Sequence, residues 1–273
     1  YFYAVLLSKG DKIEKNDEEA IKYLKMAIEK GHTSAMFFYA HLLINGIGIN
    51  ADIIEGFKQL NMSIENGNED AIDYYGTLLR DGDVIEMNKK EALNFFKMAA
   101  DKGHINAMLN YAMILDEGDG VETNEEEALK YYKMAADKGD PAAMCYYAEM
   151  LIRNNGTEPN FEEFIRYLKR AADKGFPLAL EKYAYVLKYG LFIEKDRREA
   201  IKYYKMALEK GCLEAKEEYE ELLYSIEKEE EEDEYIEKTS RTEEEEERME
   251  STDFDKIVEK WNYIIINAEK IWF

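Results

Sequence analysis

Side chains that could take part in catalysis are common in this sequence, but their spacing gives no recognisable reaction centre. The carboxylates of Glu125, Glu126 and Glu127 stand at the predicted start of a helix, where water would solvate them. A catalytic carboxyl group needs burial to adjust its pKa. Cys145 has no histidine one helical turn away to activate its thiol, and His41 has no second ligand at metal spacing. The sequence therefore predicts no catalytic residue, no metal site and no cofactor.

Two further patterns have ordinary structural explanations. The Gly118-Asp119-Gly120 turn resembles a phosphate-binding loop, but it is predicted to close a helix instead of linking a strand to a helix. His32 and His104 directly follow a glycine, and we expect them to serve in local packing or capping. The sequence indicates a protein that is not an enzyme.

Composition narrows the class of protein further. In 273 residues, 46% are apolar and 13% aromatic, which excludes wholesale disorder, and only 3 are proline, which favours helices over a β-sandwich or barrel. A net charge of −23 repels nucleic acid and anionic lipid, and no apolar run approaches the roughly 18 residues of a membrane span. With only 2 cysteines, a reducing compartment is favoured, so we expect a cytoplasmic protein.

A 36-residue repeat dominates the sequence. One glycine recurs at this spacing without a slip, at Gly31, Gly67, Gly103, Gly139, Gly175 and Gly211. An alanine follows four residues after each of these glycines, and a tyrosine follows eight residues after each. Recurrence with such a period is typical of repeat proteins in which every repeat is one small unit of secondary structure.

Each repeat carries the start and stop signals of two helices. The first, helix A, ends at a glycine such as Gly46 or Gly82, or at Asn154 in one repeat, residue types that suit the left-handed conformation closing a helix. The second, helix B, begins with a capping box, in which Asn or Asp is followed three residues later by Glu. The boxes are Asn16/Glu19, Asp52/Glu55, Asn88/Glu91, Asn124/Glu127, Asn160/Glu163 and Asp196/Glu199. We therefore predict an all-α fold, an α-solenoid in which antiparallel helix pairs stack into a right-handed superhelix.

These residues resemble a known family. The segment 128–139, Ala-Leu-Lys-Tyr-Tyr-Lys-Met-Ala-Ala-Asp-Lys-Gly, with Ala143 after it and the loop 118–121 before it, resembles a Sel-1-like repeat (SLR), a relative of the tetratricopeptide repeat. The resemblance covers residues 1 to about 226, although Tyr or Phe in helix B replaces a tryptophan that is frequent in the family. It implies a scaffold or adaptor role in protein assembly, with no shared catalytic residues.

The pattern divides the chain into three parts: repeats over 1–226, an acidic low-complexity segment over 227–252 and an amphipathic helix over 253–273. Residue 1 falls inside a helix A, so we expect an array truncated at its N-terminus. Residues 227–250 hold 14 acidic and 4 basic residues, which predicts a solvated helix or a disordered spacer that attracts basic segments. The last helix either folds back on the end of the solenoid or docks a partner.

One face of helix A is the candidate binding surface. At 100° per residue, the positions that stay constant between repeats share one arc and form the core, while the variable positions share the opposite arc. We call this second arc the helix-A stripe. It comprises Phe37, Phe38, His41, Asn45, Asp73, Tyr74, Thr77, Leu109, Asn110, Met113, Cys145, Tyr146, Glu149, Arg153, Lys182, Tyr185 and Tyr189. Its aromatic side chains either line a concave peptide groove or close against helix B of a neighbouring repeat.

The leading hypothesis is a non-catalytic scaffold or adaptor that binds a peptide or helix of a partner protein on the concave helix-A surface. The expected partners are proteins, and neither nucleic acid nor membrane. An alternative makes the chain the regulatory or targeting arm of a larger enzyme, such as a protein kinase, encoded upstream of residue 1. A hydrolase acting on small substrates has no motif to support it.

Overall fold

The computed structural model describes residues 1–10, 13–118, 120–153 and 159–269, with side chains throughout except at 241–255, 257 and 260–269. Over these residues the chain is all-helical and forms no strand, as predicted. Its helices are α1 (Phe2–Lys9), α2 (Asp17–Glu29), α3 (Thr33–Asn45), α4 (Ile53–Glu65), α5 (Glu69–Asp81), α6 (Lys89–Asp101), α7 (Ile105–Glu117), α8 (Glu125–Asp137), α9 (Pro141–Ile152), α10 (Phe161–Asp173), α11 (Pro177–Tyr189), α12 (Arg197–Glu209) and α13 (Ala215–Glu269).

The predicted capping boxes start every helix B. In each one the side-chain oxygen of the N-cap residue accepts the backbone N–H of the glutamate three residues on, at 2.8–3.1 Å. These even-numbered helices, α2 to α12, therefore begin where the sequence places them. The cap satisfies a backbone donor that has no partner within the helix, and it fixes the direction in which the chain enters.

The odd-numbered helices are the A helices, and they have caps of their own. His32 and His104 act as N-caps, because the imidazole Nδ1 accepts the backbone N–H of Ala35 at 3.3 Å and of Ala107 at 3.2 Å. At the other end of α3, Gly46 takes the left-handed conformation with φ 64° and donates its N–H to the Leu42 carbonyl. The capping role predicted for the two histidines is confirmed. Asn154, the predicted stop of α9, lies outside the described residues.

The chain forms two compact units, Tyr1–Tyr183 and Ala184–Phe273, whose boundary falls within α11. In the first unit, consecutive helices from α1 to α10 pack against each other as helical hairpins. The constant small positions fill the contacts, and none of their side chains is exposed: Ala35, Ala71, Ala107, Ala143 and Ala179. In the second unit, α12 packs against the first turns of α13, where Ala215 and Leu222 are buried.

Helix α13 is a single helix of 55 residues, Ala215–Glu269. It includes the predicted acidic segment, and the side chains from 227 to 238 are exposed, as expected of a solvated helix. The helix predicted separately for 253–273 is, up to Glu269, the continuation of α13. The side chains of its tryptophans lie outside the described part of the chain. None of the described helices combines the length and the apolarity that a membrane span requires.

A polar clasp joins successive repeats on the B-helix side of the first unit. The Lys97 ammonium lies 2.9 Å from the Glu127 carboxylate and 3.2 Å from the Tyr131 hydroxyl, and 4.9 Å from the centre of the Tyr111 ring. Tyr131 donates its own hydroxyl proton to Asp101 at 2.5 Å. One side chain of α6 is thus held by groups from α7 and α8.

The clasp recurs one repeat later, around Lys133, and is missing one repeat earlier. Around Lys133, the ammonium lies 3.4 Å from Glu163 and 5.5 Å from the centre of the Tyr147 ring. In the repeat before Lys97, Asn61 takes the place of the lysine, and Phe95 takes the place of Tyr131 in the facing helix. An amide and a phenyl ring carry neither the cation nor the hydroxyl, so this clasp cannot form between α4 and α6.

Candidate binding surface on the A helices

Most of the helix-A stripe is neither buried nor fully exposed. In the first unit, the half-buried members are Phe37, Phe38, His41, Asp73, Tyr74, Thr77, Leu109, Asn110, Met113, Tyr146, Glu149 and Lys182. Asn45 and Arg153 are exposed, and Cys145 is fully buried. The remaining two members, Tyr185 and Tyr189, belong to the second unit. Side chains at this level of burial present an outer surface and still contact one another.

An aromatic cluster joins the stripe residues of α3 and α5. The Tyr74 ring centre lies 5.8 Å from that of Phe37 and 5.2 Å from that of His41, in tilted or edge-on arrangements. The Asn45 side-chain amide donates to the Tyr74 hydroxyl at 2.8 Å. Burial lowers the pKa of His41 and raises that of Tyr74, so both rings are held neutral. The cluster offers a mainly apolar surface with one amide at its edge.

A hydrogen-bonded chain joins α5 to α7. The Asn110 side chain donates to the Asp73 carboxylate at 3.2 Å and accepts from the Arg80 guanidinium at 3.1 Å. Thr77, one turn along from Asp73, donates its hydroxyl to the Asp73 carbonyl at 3.1 Å. Burial raises the pKa of Asp73, and the nearby His104, Asn110 and Arg80 offset only part of that rise.

Ion pairs continue the surface across α9 and into α11. Arg153 pairs with Asp116 through the two terminal nitrogens of its guanidinium group. This hydrogen bonding raises the pKa of Arg153. The Lys182 ammonium lies 3.1 Å from the Glu149 carboxylate. The Tyr146 ring stacks on a B-helix ring, that of Tyr132, with centres 5.6 Å apart.

Cys145 must be removed from the set of residues that could touch a partner. It was predicted on the stripe, but none of its surface is exposed. Its thiol lies 3.8 Å from the Glu149 carboxylate, and burial raises the pKa of the thiol to about 12. The equivalent residues of three earlier repeats, Phe37, Asp73 and Leu109, are half-buried, so full burial at this position is particular to Cys145.

The second unit carries an exposed aromatic pair. Tyr185 and Tyr189 are 41% and 47% exposed, and their ring centres are 4.6 Å apart. Beside them Lys188 is only 9% exposed, and its ammonium lies 2.6 Å from the carboxylates of both Glu218 and Glu221 in α13. Burial alone would lower the pKa of Lys188, but these hydrogen bonds outweigh burial, so its pKa is raised.

Sequence reasoning missed two residues of the surface in the first unit. Arg80 and Asp116 occupy the same position of their helices, thirteen residues after the repeat glycine, and each contacts a stripe residue of the next A helix. A search for opposite charges 37 residues apart would have found the pair formed by Asp116 and Arg153. Among the described residues, no group of three His, Cys, Asp or Glu side chains is placed to hold a metal ion.

Asp73→Asn is expected to raise the free energy of unfolding at neutral pH, because the amide removes a carboxylate that burial disfavours and can still accept the hydrogen bond from Asn110. The raised pKa of Asp73 means that the ionised form is the costly one. The gain should therefore be full above that pKa and should disappear as the pH falls toward the ordinary value, 3.8. Denaturant unfolding of both proteins across pH measures this, and a gain that is independent of pH would contradict it.

These hairpins and their outer surface define an α-solenoid of the kind that serves as a protein-interaction scaffold. The Sel1 repeat model matches residues 1–32, 33–68, 70–104, 105–140, 141–176 and 177–212. The chain therefore belongs to the Sel1 repeat family, as the sequence resemblance predicted. Sel1 repeat proteins are generally non-catalytic scaffolds that bind other proteins.

Solved structures share the fold. A Sel1 repeat protein from Oxalobacter formigenes is 25% identical, with a TM-score of 0.70 over 76% of this chain and 85% of that one. A protective antigen of uropathogenic Escherichia coli with an SLR fold is 24% identical, with a TM-score of 0.73 over 82% of this chain and 48% of that one, so the chain spans about half its length. An immunity protein of Pseudomonas aeruginosa, PA5088, is 20% identical, with a TM-score of 0.50 over 82% of this chain and 80% of that one. No curated protein matches.

Proposed function

We propose that the protein is a non-catalytic scaffold that binds a peptide segment or a helix of a partner protein on its helix-A stripe. The observation that carries this proposal is the continuity of the stripe in the first unit. Its side chains contact one another from α3 to α5 and from α5 to α7, then from α7 to α9 through Asp116 and Arg153, and from α9 to α11. Such a row offers a partner several adjacent contacts that are already ordered before binding.

The chemistry of the row suits a peptide. The aromatic cluster around Tyr74 and the flexible thioether of Met113 provide apolar anchors of the types that dominate binding energy or adapt to different partners. The amide groups of Asn45 and Asn110 can bond to a peptide backbone. The charged side chains Glu149 and Lys182 neutralise each other, so the row does not require a strongly charged partner.

Met113→Ala should lower the affinity for such a peptide about fivefold or more, because an interface anchor costs more than 1 kcal/mol when truncated. The probe is a library of random 15-residue peptides displayed on phage and selected on the full chain, with affinities of the selected peptides measured by calorimetry. Met98→Ala is the matched control, since Met98 is a 40% exposed methionine on helix B, outside the stripe. Met113 is preferred to Tyr74, whose loss would also remove contacts within the protein.

Two results would count against the proposal. The first is a library that yields no binding peptide. The second is a set of peptides that respond equally to Met113→Ala and Met98→Ala, because binding would then take place away from the stripe.

A further inference from the structure

Equivalent side chains close two successive joints between A helices. The positions concerned are the fourteenth residue after the repeat glycine on one A helix and the seventh on the next. Between α3 and α5 they are Asn45 and Tyr74, whose amide and hydroxyl are 2.8 Å apart. Between α5 and α7 they are Asp81 and Asn110. The Arg80 guanidinium lies between these two and donates to the Asp81 carboxylate at 2.7 Å and to the Asn110 side-chain oxygen at 3.1 Å.

The next joint, between α7 and α9, has no such closing contact. The two positions hold Glu117, which is exposed, and Tyr146, which is half-buried. Among the residues that the structure describes, neither the Glu117 carboxylate nor the Tyr146 hydroxyl has a hydrogen-bond or ion-pair partner. Burial is the largest cause of the raised pKa of Tyr146, and the negative charge of Glu117 adds to the rise, which places the carboxylate near the hydroxyl.

The cations of this part of the stripe are already paired. Arg153 bonds to Asp116 through two nitrogens, and the Lys182 ammonium lies 3.1 Å from the Glu149 carboxylate. Two further carboxylates act on these cations, those of Glu125 and Glu181. The charge of Glu117 comes in addition to these pairs, so a cation brought by a partner would meet an excess of negative charge.

The preceding joint indicates which cation fits. There one guanidinium group donates to a carboxylate and to a neutral side-chain oxygen, and Glu117 and Tyr146 offer the same two kinds of acceptor. The planar fork of arginine can bond to both at once, whereas the ammonium of lysine is a point charge. Met113 precedes Glu117 by one turn on the same face of α7, where its thioether can cover the methylene stem of an arginine.

We propose that Glu117 and Tyr146 form a subsite for one arginine side chain of the partner segment, with the guanidinium held between the carboxylate and the hydroxyl. This inference rests on the proposed scaffold function and deepens it. It adds Glu117 to the binding residues and makes an arginine part of what the stripe recognises.

The test uses the peptides selected by display on the full chain, in which arginine should be enriched at one position. Glu117→Gln should lower the affinity of these peptides about tenfold or more, because the guanidinium loses a charged acceptor. Glu126→Gln is the matched control, since Glu126 is exposed on helix B, outside the stripe, and its replacement changes the net charge equally. Neither variant should shift the melting temperature by more than about 2 °C.

Citrulline in place of the peptide arginine separates the subsite from general attraction between charges. Citrulline keeps the shape of arginine and lacks its charge, so it should cost the wild type about as much affinity as Glu117→Gln does. Once the peptide carries citrulline, Glu117→Gln should cause no further loss. Lysine at the same position should bind about threefold or more weakly than arginine, because it cannot bond to both acceptors as a fork.

The outcomes separate this inference from the function on which it rests. Peptides that lose affinity with Met113→Ala but are unaffected by Glu117→Gln would overturn the arginine subsite and leave the scaffold function standing. Peptides unaffected by both variants would overturn both. Equal losses with Glu117→Gln and Glu126→Gln, or additive losses from Glu117→Gln and citrulline, would show attraction to the whole surface instead of a subsite. Selected peptides without arginine, or with lysine binding as tightly, would overturn the recognition of a guanidinium.

Discussion

Ala107→Leu should lower the free energy of unfolding by about 1–3 kcal/mol, because the larger side chain overpacks a helix contact that has no free space. None of the Ala107 side chain is exposed, and the same position is a fully buried alanine in the repeats before and after it. Thermal melting measures the effect, at about 2–4 °C per kcal/mol for a protein of this size.

Asn106→Leu is the matched control for this prediction. Asn106 is the preceding residue of α7 and is exposed, so leucine there adds the same side chain without entering the contact. Its effect should stay within about 0.5 kcal/mol. Equal melting temperatures for the two variants would mean that the contact tolerates a large side chain, and the recurring alanine would then need another explanation.

Lys188→Met should lower the free energy of unfolding by about 1–3 kcal/mol. Methionine retains most of the apolar stem but leaves the carboxylates of Glu218 and Glu221 without their shared cation. Breaking a fully buried ion pair would cost more stability than this. Here water reaches the exposed carboxylate oxygens of the two glutamates and reduces the loss. Denaturant unfolding followed by circular dichroism measures the loss.

Lys216→Met is the control within the same unit. Lys216 is 65% exposed and lies 3.7 Å from Glu220, an exposed ion pair that contributes little. Its replacement should change stability by less than about 0.5 kcal/mol. If both variants lost the same amount, the burial of Lys188 would have no energetic consequence and the junction of α11 with α13 would depend on apolar packing.

The fold could be predicted because its signals are local and repeated. A capping box such as Asn124 and Glu127 involves neighbours in sequence, and its geometry is set within one helical turn. A glycine such as Gly46 marks the end of a helix through its own backbone freedom. Six capping boxes and five such glycines reinforced one another, so the helix pairs followed from the sequence without knowledge of their packing.

The candidate surface was predicted less completely, because it depends on contacts between helices. A fixed advance of 100° per residue placed Tyr74 and Asn110 on the stripe, but it could not tell that Cys145 is covered. The same advance also places Arg80 and Asp116 on the variable arc, but the predicted stripe left them out, and only their partners one repeat away show that they belong to the surface. The left-handed conformation of Phe192 was not predicted either, because the same position holds Gly48 and Gly120 in two repeats but Val84 in another.

The junction of α4 with α6 lacks the polar clasp, and this changes how the first unit should respond to salt. Where Asn61 and Phe95 replace the charged and hydroxylated partners, the Tyr75 ring of α5 joins the two helices instead, with its centre 6.2 Å from that of Phe57 and 4.6 Å from that of Phe95. Salt screens the ion pair of Lys97 with Glu127, which is partly exposed, but it does not screen contacts between apolar rings. Rising ionic strength should therefore weaken the junction of α6 with α8 more than that of α4 with α6.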